Sequence, residues 1–453
     1  MSEMDVDVLV VGAFTAGLYF GGLMAKQGYK VLICDALPEK EVGDRYSVIH
    51  VGREHFGNFG LPEPKPGDSE YIRSFDTSIL RSALNNYPKT SHAAILVLRR
   101  ALMTQRIAAW AKEQGAELLY QTAFEKPLFN DQGKLAGAIL RQNDGELRVK
   151  ARLTVDASGI GAAVRTSLPA DYGVENFVTG PRDQFYVVLH YVNLKNPEQD
   201  APKVNITWPY YKTWFASQPE AEGALFGIGA NLSFDYAERC FQRFAKKGFL
   251  PESTEDHIEE SSTPYRRPPY SFVADGFAVM GDAACITNPW SGEGVPYAWA
   301  LGAIAAEEYG RAMKDGAYPS RESVWNVNVR YQQAQGALFA QNLAMLCGAV
   351  SCTEKENDYE FKHAIIYEDE TEKGKGNLLL KLLKAFISGG ISPKSLGNLL
   401  RAAGTGGDIF KHYIAYPGTS EGLPQWIQQA DALWEKAGSM ADLAERDLAG
   451  MGK

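Results

Sequence analysis

An apolar strand, a Gly-Asp turn and a glycine-rich helix start follow one another in Gly276-Phe-Ala-Val-Met-Gly281-Asp282-Ala-Ala-Cys-Ile-Thr-Asn-Pro289-Trp290-Ser-Gly292-Glu293-Gly294-Val295. Phe277 to Met280 has the pattern of a buried strand, and Gly281 permits a tight turn after it. Asp282 then emerges at the carboxyl end of a sheet, where open α/β sheets hold ligands. A carboxylate there can accept hydrogen bonds from ribityl hydroxyls. Pro289, Gly292, Glu293 and Gly294 lead into a good helix former beginning at Val295. Its first turn presents free backbone N–H groups and the positive end of the dipole. That terminus suits the electron-rich pyrimidine edge of a reduced flavin; the alternative is an ordinary strand, loop and helix.

The amino terminus carries a second ligand-bearing pattern. Asp5-Val-Asp-Val-Leu-Val-Val-Gly12-Ala13-Phe14-Thr15-Ala16-Gly17 is a buried strand, a glycine turn and the start of a small-residue helix, and Val31-Leu-Ile-Cys-Asp35-Ala36 is a second strand ending in an acid. This is a βαβ dinucleotide unit: Gly12, Ala13, Thr15, Ala16 and Gly17 surround the pyrophosphate at the helix N-terminus. Asp35 stands at the ribose-reading distance of roughly twenty residues. Phe14 occupies the position where such turns usually have their second glycine. Two further segments belong with these: Val97-Leu98-Arg99-Arg100 followed by Gln105 on a helix, and Leu153-Thr-Val-Asp156-Ala-Ser-Gly159, a strand ending in a turn.

With four such segments in this order, the chain resembles FAD-dependent oxidoreductases of the p-hydroxybenzoate hydroxylase fold. Within them it is most similar to the geranylgeranyl reductase family. The resemblance extends to Gly43-Asp44-Arg45, Arg266-Arg267-Pro268, Trp325-Asn-Val-Asn328-Val-Arg-Tyr331 and Tyr413-Ile-Ala-Tyr416-Pro417, the last two lying outside the generic flavin fold. It implies FAD as cofactor, with Arg45 beside it, and hydride delivery to a carbon–carbon double bond of a long isoprenoid chain. Two departures separate cofactor use from substrate identity. The family has Pro-Cys-Gly after the segment matching Gly43 to Arg45, where this chain has Tyr46-Ser47-Val48. Its Tyr-x-Trp-x-Phe-Pro stretch is replaced by Trp208-Pro-Tyr-Tyr211-Lys-Thr-Trp214-Phe215, aromatic but differently spaced.

These elements imply an α/β fold: a Rossmann-type FAD-binding domain with an inserted antiparallel-sheet substrate domain and a C-terminal helical region. The expected pieces are 1–70, 96–168 and 264–313 for the FAD-binding domain, 71–95 and 169–263 for the substrate domain, and 314–453 for the helical region. Strand patterns at Phe185 to Val192, Lys203 to Trp208 and Ala224 to Leu232 supply the inserted sheet. Tyr236 to Lys247 reads as a helix upon it. Glu252 to Glu260 reads as a charged, solvated segment. Asn377-Leu-Leu-Leu-Lys381-Leu-Leu-Lys384-Ala-Phe-Ile reads as a helix docked on the protein's own core, with contact to a membrane surface or the lining of a lipid tunnel as the other readings.

A chain of 453 residues with 45% hydrophobic content has room for several cores. Its net charge of −9 argues against nucleic acid as a partner. Five scattered cysteines make no disulfide framework, Cys347 and Cys352 lack a second metal-binding pair, and no metal is expected. The acidic start lacks a signal-peptide pattern, so a cytoplasmic location is the expectation, with peripheral membrane contact as the other reading.

Trp208, Tyr211, Trp214, Phe215 and Trp290 are the candidate walls of an apolar or lipid-like substrate site, core packing being their other reading. Tyr46, Ser47 and His50 are the candidate proton carriers. The expected reaction is alkene reduction by reduced flavin, with NAD(P)H or a reduced carrier protein as electron donor. A flavin monooxygenase or hydroxylase is the alternative on the same fold, and a noncatalytic flavin-fold carrier is the second alternative.

Overall fold

The strand Ser2–Val11 ends in the buried run Val8-Leu9-Val10-Val11, which lies at the centre of a sheet covered on both faces, as such runs do. It pairs in parallel with Val31–Cys34 on one side and Gly145–Asp156 on the other; Phe277–Val279 adds in parallel beyond the latter. The carboxyl ends of these four strands fall at one edge. The turns at Gly12, Asp35, Ala157 and Gly281 therefore open side by side, although they are up to 269 positions apart in the chain. The computed structural model describes residues 2–44, 46–142, 145–209, 212–217, 223–369, 371–374 and 376–451.

A second sheet has seven strands in the order Ser253–Pro264, Gln184–Leu194, Gly223–Asn231, Thr213–Ser217, Asn205–Trp208, Ser78–Leu80 and Lys89–Ser91. Its pairings are antiparallel except for one parallel join between Asn205–Trp208 and Ser78–Leu80. The helix Phe234–Ala245 covers one face through Tyr236, Ala237, Cys240, Phe241 and Phe244. The charged stretch Glu252 to Glu260 is mostly exposed, as its composition implies, but it is not irregular. From Ser253 it forms the edge strand, paired along its length with Gln184–Leu194. Its carboxylates face mostly outward, which keeps a bare edge from pairing further.

A third, three-stranded sheet joins Val48–Gly52, Ile95–Arg99 and Tyr71–Phe75. Tyr71–Phe75 pairs antiparallel with Ile95–Arg99. Its ladder runs from Tyr71 beside Leu98 to Phe75 beside Ile95. Phe75 fills the apolar layer between this sheet and the seven-stranded one, with Val48, Val97, Leu189 and Leu225.

After Pro319 the described chain is helical. Trp325, Asn328, Tyr413 and Tyr416 converge beneath the segment leading into the clamp strand. Asn328 accepts the Phe272 N–H at 2.7 Å, Tyr416 donates to the Tyr270 carbonyl at 2.6 Å, and the Trp325 indole donates to the Pro417 carbonyl at 2.9 Å. The late motifs are thus a buttress for the clamp.

The helix Leu378–Ile387 departs from the reading that docks it on the core. Only Leu382 and Ala385 are buried, whereas Leu379, Leu380, Leu383, Phe386 and Ile387 face outward. No single helix among the described residues is long and apolar enough to cross a membrane.

Candidate functional site

Gly12 ends the first strand with φ +109°, and a Cβ there would stand 2.1 Å from the Ala157 carbonyl oxygen. Only glycine fits. The helix Thr15–Lys26 starts directly after it, with no side chain capping its N-terminus, so its first N–H groups point into the turn. Ala13, Thr15, Ala16 and Gly17 are buried around that start. Asp35 accepts the Ala13 N–H at 2.8 Å and the Leu37 N–H at 2.9 Å, while Ala36 is exposed beside it.

The clamp meets this turn. Gly281 has φ +63°, and a Cβ on it would stand 2.9 Å from the Ala16 Cβ, so the Gly-Asp turn lies against the amino-terminal helix. Asp282 accepts the Thr287 hydroxyl at 3.0 Å, and Thr287 in turn accepts from Thr263 of the antiparallel sheet. The loop then passes buried Pro289, exposed Gly292 and half-buried Glu293 and Gly294 to Val295, which opens the helix Val295–Ala312. This second N-terminus also has no side-chain cap.

Arg100 opens the helix Arg100–Glu113, its N–H donating to the Ser47 carbonyl at 3.0 Å, and Gln105 lies half-buried one turn on. The Arg100 guanidinium lies 4.4 Å from the Phe14 ring centroid and 5.6 Å from that of Tyr46. Phe14, in place of the second glycine, thus turns its ring toward Arg100. Asp156 faces inward: it accepts Ser158 N–H and hydroxyl at 3.0 and 2.6 Å and the Arg165 N–H at 2.7 Å, shaping the turn that ends at Gly159.

Ser47 and Tyr46 reach the antiparallel sheet. Both the N–H and the hydroxyl of Ser47 donate to the Glu259 carboxylate, the N–H at 3.0 Å. Burial raises the Tyr46 phenol above its ordinary pKa, against the smaller opposing effects of a hydrogen bond with Ser261 and the nearby Arg100 charge. It stays protonated at neutral pH. His50 shares the strand face of Val48, and burial pushes its imidazole down to about 4, so it is neutral and not an acid at pH 7. Tyr191, fully buried, stacks on His257 at 4.4 Å on the same sheet face as Glu259.

The aromatic wall divides by strand parity. Trp214 lies over Gly227, where a Cβ would meet its ring at 2.0 Å, and it joins the apolar layer with Tyr46, Val48 and Tyr191. Trp208 and Phe215 point to the opposite face and pack beneath Phe234–Ala245, with Trp208 5.2 Å from the Phe244 ring. They are core, not substrate wall, because alternation sends neighbours Trp214 and Phe215 to opposite sides of the sheet. Trp290 is exposed on the clamp loop and stacks on Tyr367 at 6.3 Å. Arg45 and Tyr211 lie outside the described residues.

Three residues escaped the sequence reading. Arg165, fully buried, donates from Nε to the Ala283 carbonyl and from Nη1 to those of Glu175 and Phe177. Lys212, in the turn before Thr213–Ser217, donates to the carbonyls of Pro289 at 2.5 Å and Trp290 at 2.9 Å, tying the antiparallel sheet to the clamp; burial pushes its amine down to about 7. Glu259 was hidden in the charged edge strand, where only its inward register distinguishes it from its neighbours.

A glycine turn, two uncapped helix N-termini and two carboxylates at one sheet edge define a dinucleotide-binding site of the flavoprotein type. The chain belongs to the FAD-binding domain family, whose pattern matches residues 5–299, and it is an FAD-dependent oxidoreductase resembling the geranylgeranyl reductases. It is similar to the digeranylgeranylglycerophospholipid reductase of Sulfolobus acidocaldarius, at 26% identity over 95% of this chain and 98% of the relative. Its fold resembles a geranylgeranyl bacteriochlorophyll reductase-like protein from Thermoplasma acidophilum, with a TM-score of 0.74 and 17% identity over 88% of this chain and all of the other. Aklavinone-11 hydroxylase, solved with FAD and aklavinone, shares the fold more distantly, with a TM-score of 0.57 and 18% identity over 76% of this chain and 69% of the other.

Proposed function

We propose that this enzyme saturates carbon–carbon double bonds of an apolar, isoprenoid-like substrate. The observation that carries the reading is the polar cluster of Tyr46, Ser47 and Glu259, where Tyr46 feels the charges of Arg100 and of Asp282 in the clamp. Val48, Val97, Leu189, Trp214 and Leu225 pack as a closed apolar layer behind it, between the small sheet and the antiparallel sheet. Saturating an alkene needs a proton source held beside the flavin in apolar surroundings. The full-length likeness to an archaeal lipid reductase points the same way.

In this reading Gly12, the N-terminus of Thr15–Lys26 and Asp35 seat the pyrophosphate and adenosine ribose of FAD. Asp282 takes the ribityl chain, and the start of Val295–Ala312 faces the ring. Bound there, FAD supplies hydride chemistry. Ser47 Oγ spends its one proton on Glu259, whereas Tyr46 keeps its own at neutral pH, so Tyr46 is the proton donor of the cluster. NAD(P)H or a reduced carrier protein supplies the electrons.

The test is anaerobic. Photoreduced enzyme mixed with prenyl lipids or smaller alkenes in deuterated water is expected to be reoxidised by an alkene, giving a saturated product that carries deuterium. Reoxidation by oxygen alone, with a hydroxylated product, would move the assignment to a monooxygenase, a reaction the fold shared with aklavinone-11 hydroxylase accommodates.

Asp282→Ala tests the cofactor assignment. Losing a charge-assisted hydrogen bond costs about 1.5–3 kcal/mol, so FAD affinity is expected to fall tenfold or more. Asp275 makes a poor control, because its carboxylate accepts the Arg321 N–H at 2.7 Å and pairs with Lys134. Asp131, exposed in a hairpin turn, is the better one. Equal flavin retention in Asp282→Ala and Asp131→Ala, measured by equilibrium dialysis, would remove Asp282 from the site.

A further inference from the structure

The helix Leu378–Ile387 shows solvent the side that helices usually bury. Leu379 is 60% exposed, Leu380 58%, Leu383 48%, Phe386 39% and Ile387 76%. At 100° per residue these five make one continuous apolar arc, with Lys384 at its margin and Leu382 and Ala385 anchoring the opposite side to Ile365, Ile391 and Leu399. Leu400, on the next helix, is also exposed at 39%.

Along the chain, the charge of the stretch that carries this arc is the reverse of the charge of the whole molecule. From position 373 to position 407 the sequence holds Lys373, Lys375, Lys381, Lys384, Lys394 and Arg401 and no acidic residue, within a chain of net charge −9. Lys381 is spent internally on Glu368 and the Ala364 carbonyl, whereas Lys384 and Lys394 are exposed. An apolar arc bordered by lysines is the pattern of a helix lying in a bilayer interface, with its hydrocarbon face among acyl chains and its ammonium groups at anionic headgroups.

We propose that the outward face of Leu378–Ile387 seats the enzyme on the surface of an anionic lipid bilayer. The proposal rests on the reading of the substrate as an isoprenoid-like lipid, to which it adds where that substrate is met. A second copy of the chain is the weaker occupant. A ten-residue helix is about 15 Å long and about 10 Å wide, so its face buries a few hundred Å² per partner, short of the roughly 800 Å² per partner of a stable dimer. The basic stretch would also repel its own copy.

The experiment is cosedimentation of the FAD-loaded enzyme with vesicles of phosphatidylglycerol and phosphatidylcholine, or of phosphatidylcholine alone, at low and high salt. Binding is expected to the anionic vesicles and to weaken with salt. The double variant Leu383→Glu/Ile387→Glu is expected to lower the partition coefficient at least tenfold, and Lys384→Glu to weaken binding to anionic vesicles selectively. Both substituted positions point to solvent, so folding is checked by flavin absorbance and melting temperature. Vesicle binding is read without turnover and therefore independently of the reaction. Wild-type protein that ignores both vesicle types, or a double variant that binds as well as wild type, would overturn the proposal. So would a wild-type dimer that Leu383→Glu/Ile387→Glu converts to monomer.

Discussion

Arg165→Met is expected to destabilise the protein by about 3–5 kcal/mol, the usual result of removing one member of a buried charged network. Arg165 is fully buried, with Asp156 beside it. Its guanidinium donates to the carbonyls of Ala283 at 3.1 Å, Glu175 at 2.8 Å and Phe177 at 2.9 Å, and lies 4.0 Å from the Phe177 ring centroid. Methionine fills much of the space but donates nothing. The buried Ala283 carbonyl and the part-buried carbonyls of Glu175 and Phe177 then lose their donor, at about 1–3 kcal/mol for a carbonyl that water cannot reach, and Asp156 loses the positive charge beside it. Because one of those carbonyls belongs to the Gly281–Ala284 turn, the variant should also release flavin more readily, coupling a stability defect to a cofactor defect. Urea unfolding with Arg141→Met as control checks this, since the Arg141 side chain is 67% exposed and its loss should fall within about 0.5 kcal/mol of wild type. If Arg165→Met matches that control, the guanidinium is not what holds the clamp.

What was legible in the sequence is the part with few chemical solutions. A turn that brings backbone within 2.1 Å of a would-be Cβ admits only glycine, and the buried end of a parallel strand, Val8 to Val11 here, must be apolar. Gly12, Gly281 and the strands before them could therefore be read from residue types alone. Trp208, Trp214 and Phe215 could not be sorted that way. All three are aromatic, and what separates wall from core is the register of Thr213–Ser217 against Gly223–Asn231, where Trp214 lands on Gly227 and Phe215 on Phe226. Glu259 was invisible for a related reason. On an edge strand full of carboxylates, only pairing with Leu189 turns this one toward Ser47. Arg165 belongs to no periodic pattern, because its role depends on carbonyls that reach it from positions 175, 177 and 283. The helix at Leu378–Ile387 reversed its expected side because composition measures how apolar a helix is, not which face its neighbours cover.

Gly12→Ala is expected to yield protein that cannot hold FAD, whereas Phe14→Gly at the altered position of the same turn is expected to keep it. At Gly12 a methyl group meets the Ala157 carbonyl at 2.1 Å, backbone that cannot swing aside, and φ is +109°, where an L-residue is strained by about 1–3 kcal/mol before any clash is counted. Relief requires moving either the strand ending at Val11 or the turn after Asp156, and both frame the N-terminus of Thr15–Lys26. Since about 1.4 kcal/mol is a factor of ten, a loss of one to two decades in FAD affinity is the least expected. Phe14 presents the opposite case. Its backbone is extended at φ −92°, its half-buried ring lies against the Arg100 guanidinium and near Gly43, and glycine is an acceptable residue to precede a helix. Removing the ring forfeits a cation–π contact of about 0.5–1 kcal/mol, which corresponds to less than a tenfold change. Fluorescence titration of apoprotein with FAD separates the two. A Phe14→Gly variant as defective as Gly12→Ala would mean that the ring, with Arg100 against it, has taken over part of the cofactor seat that glycine vacates in this chain.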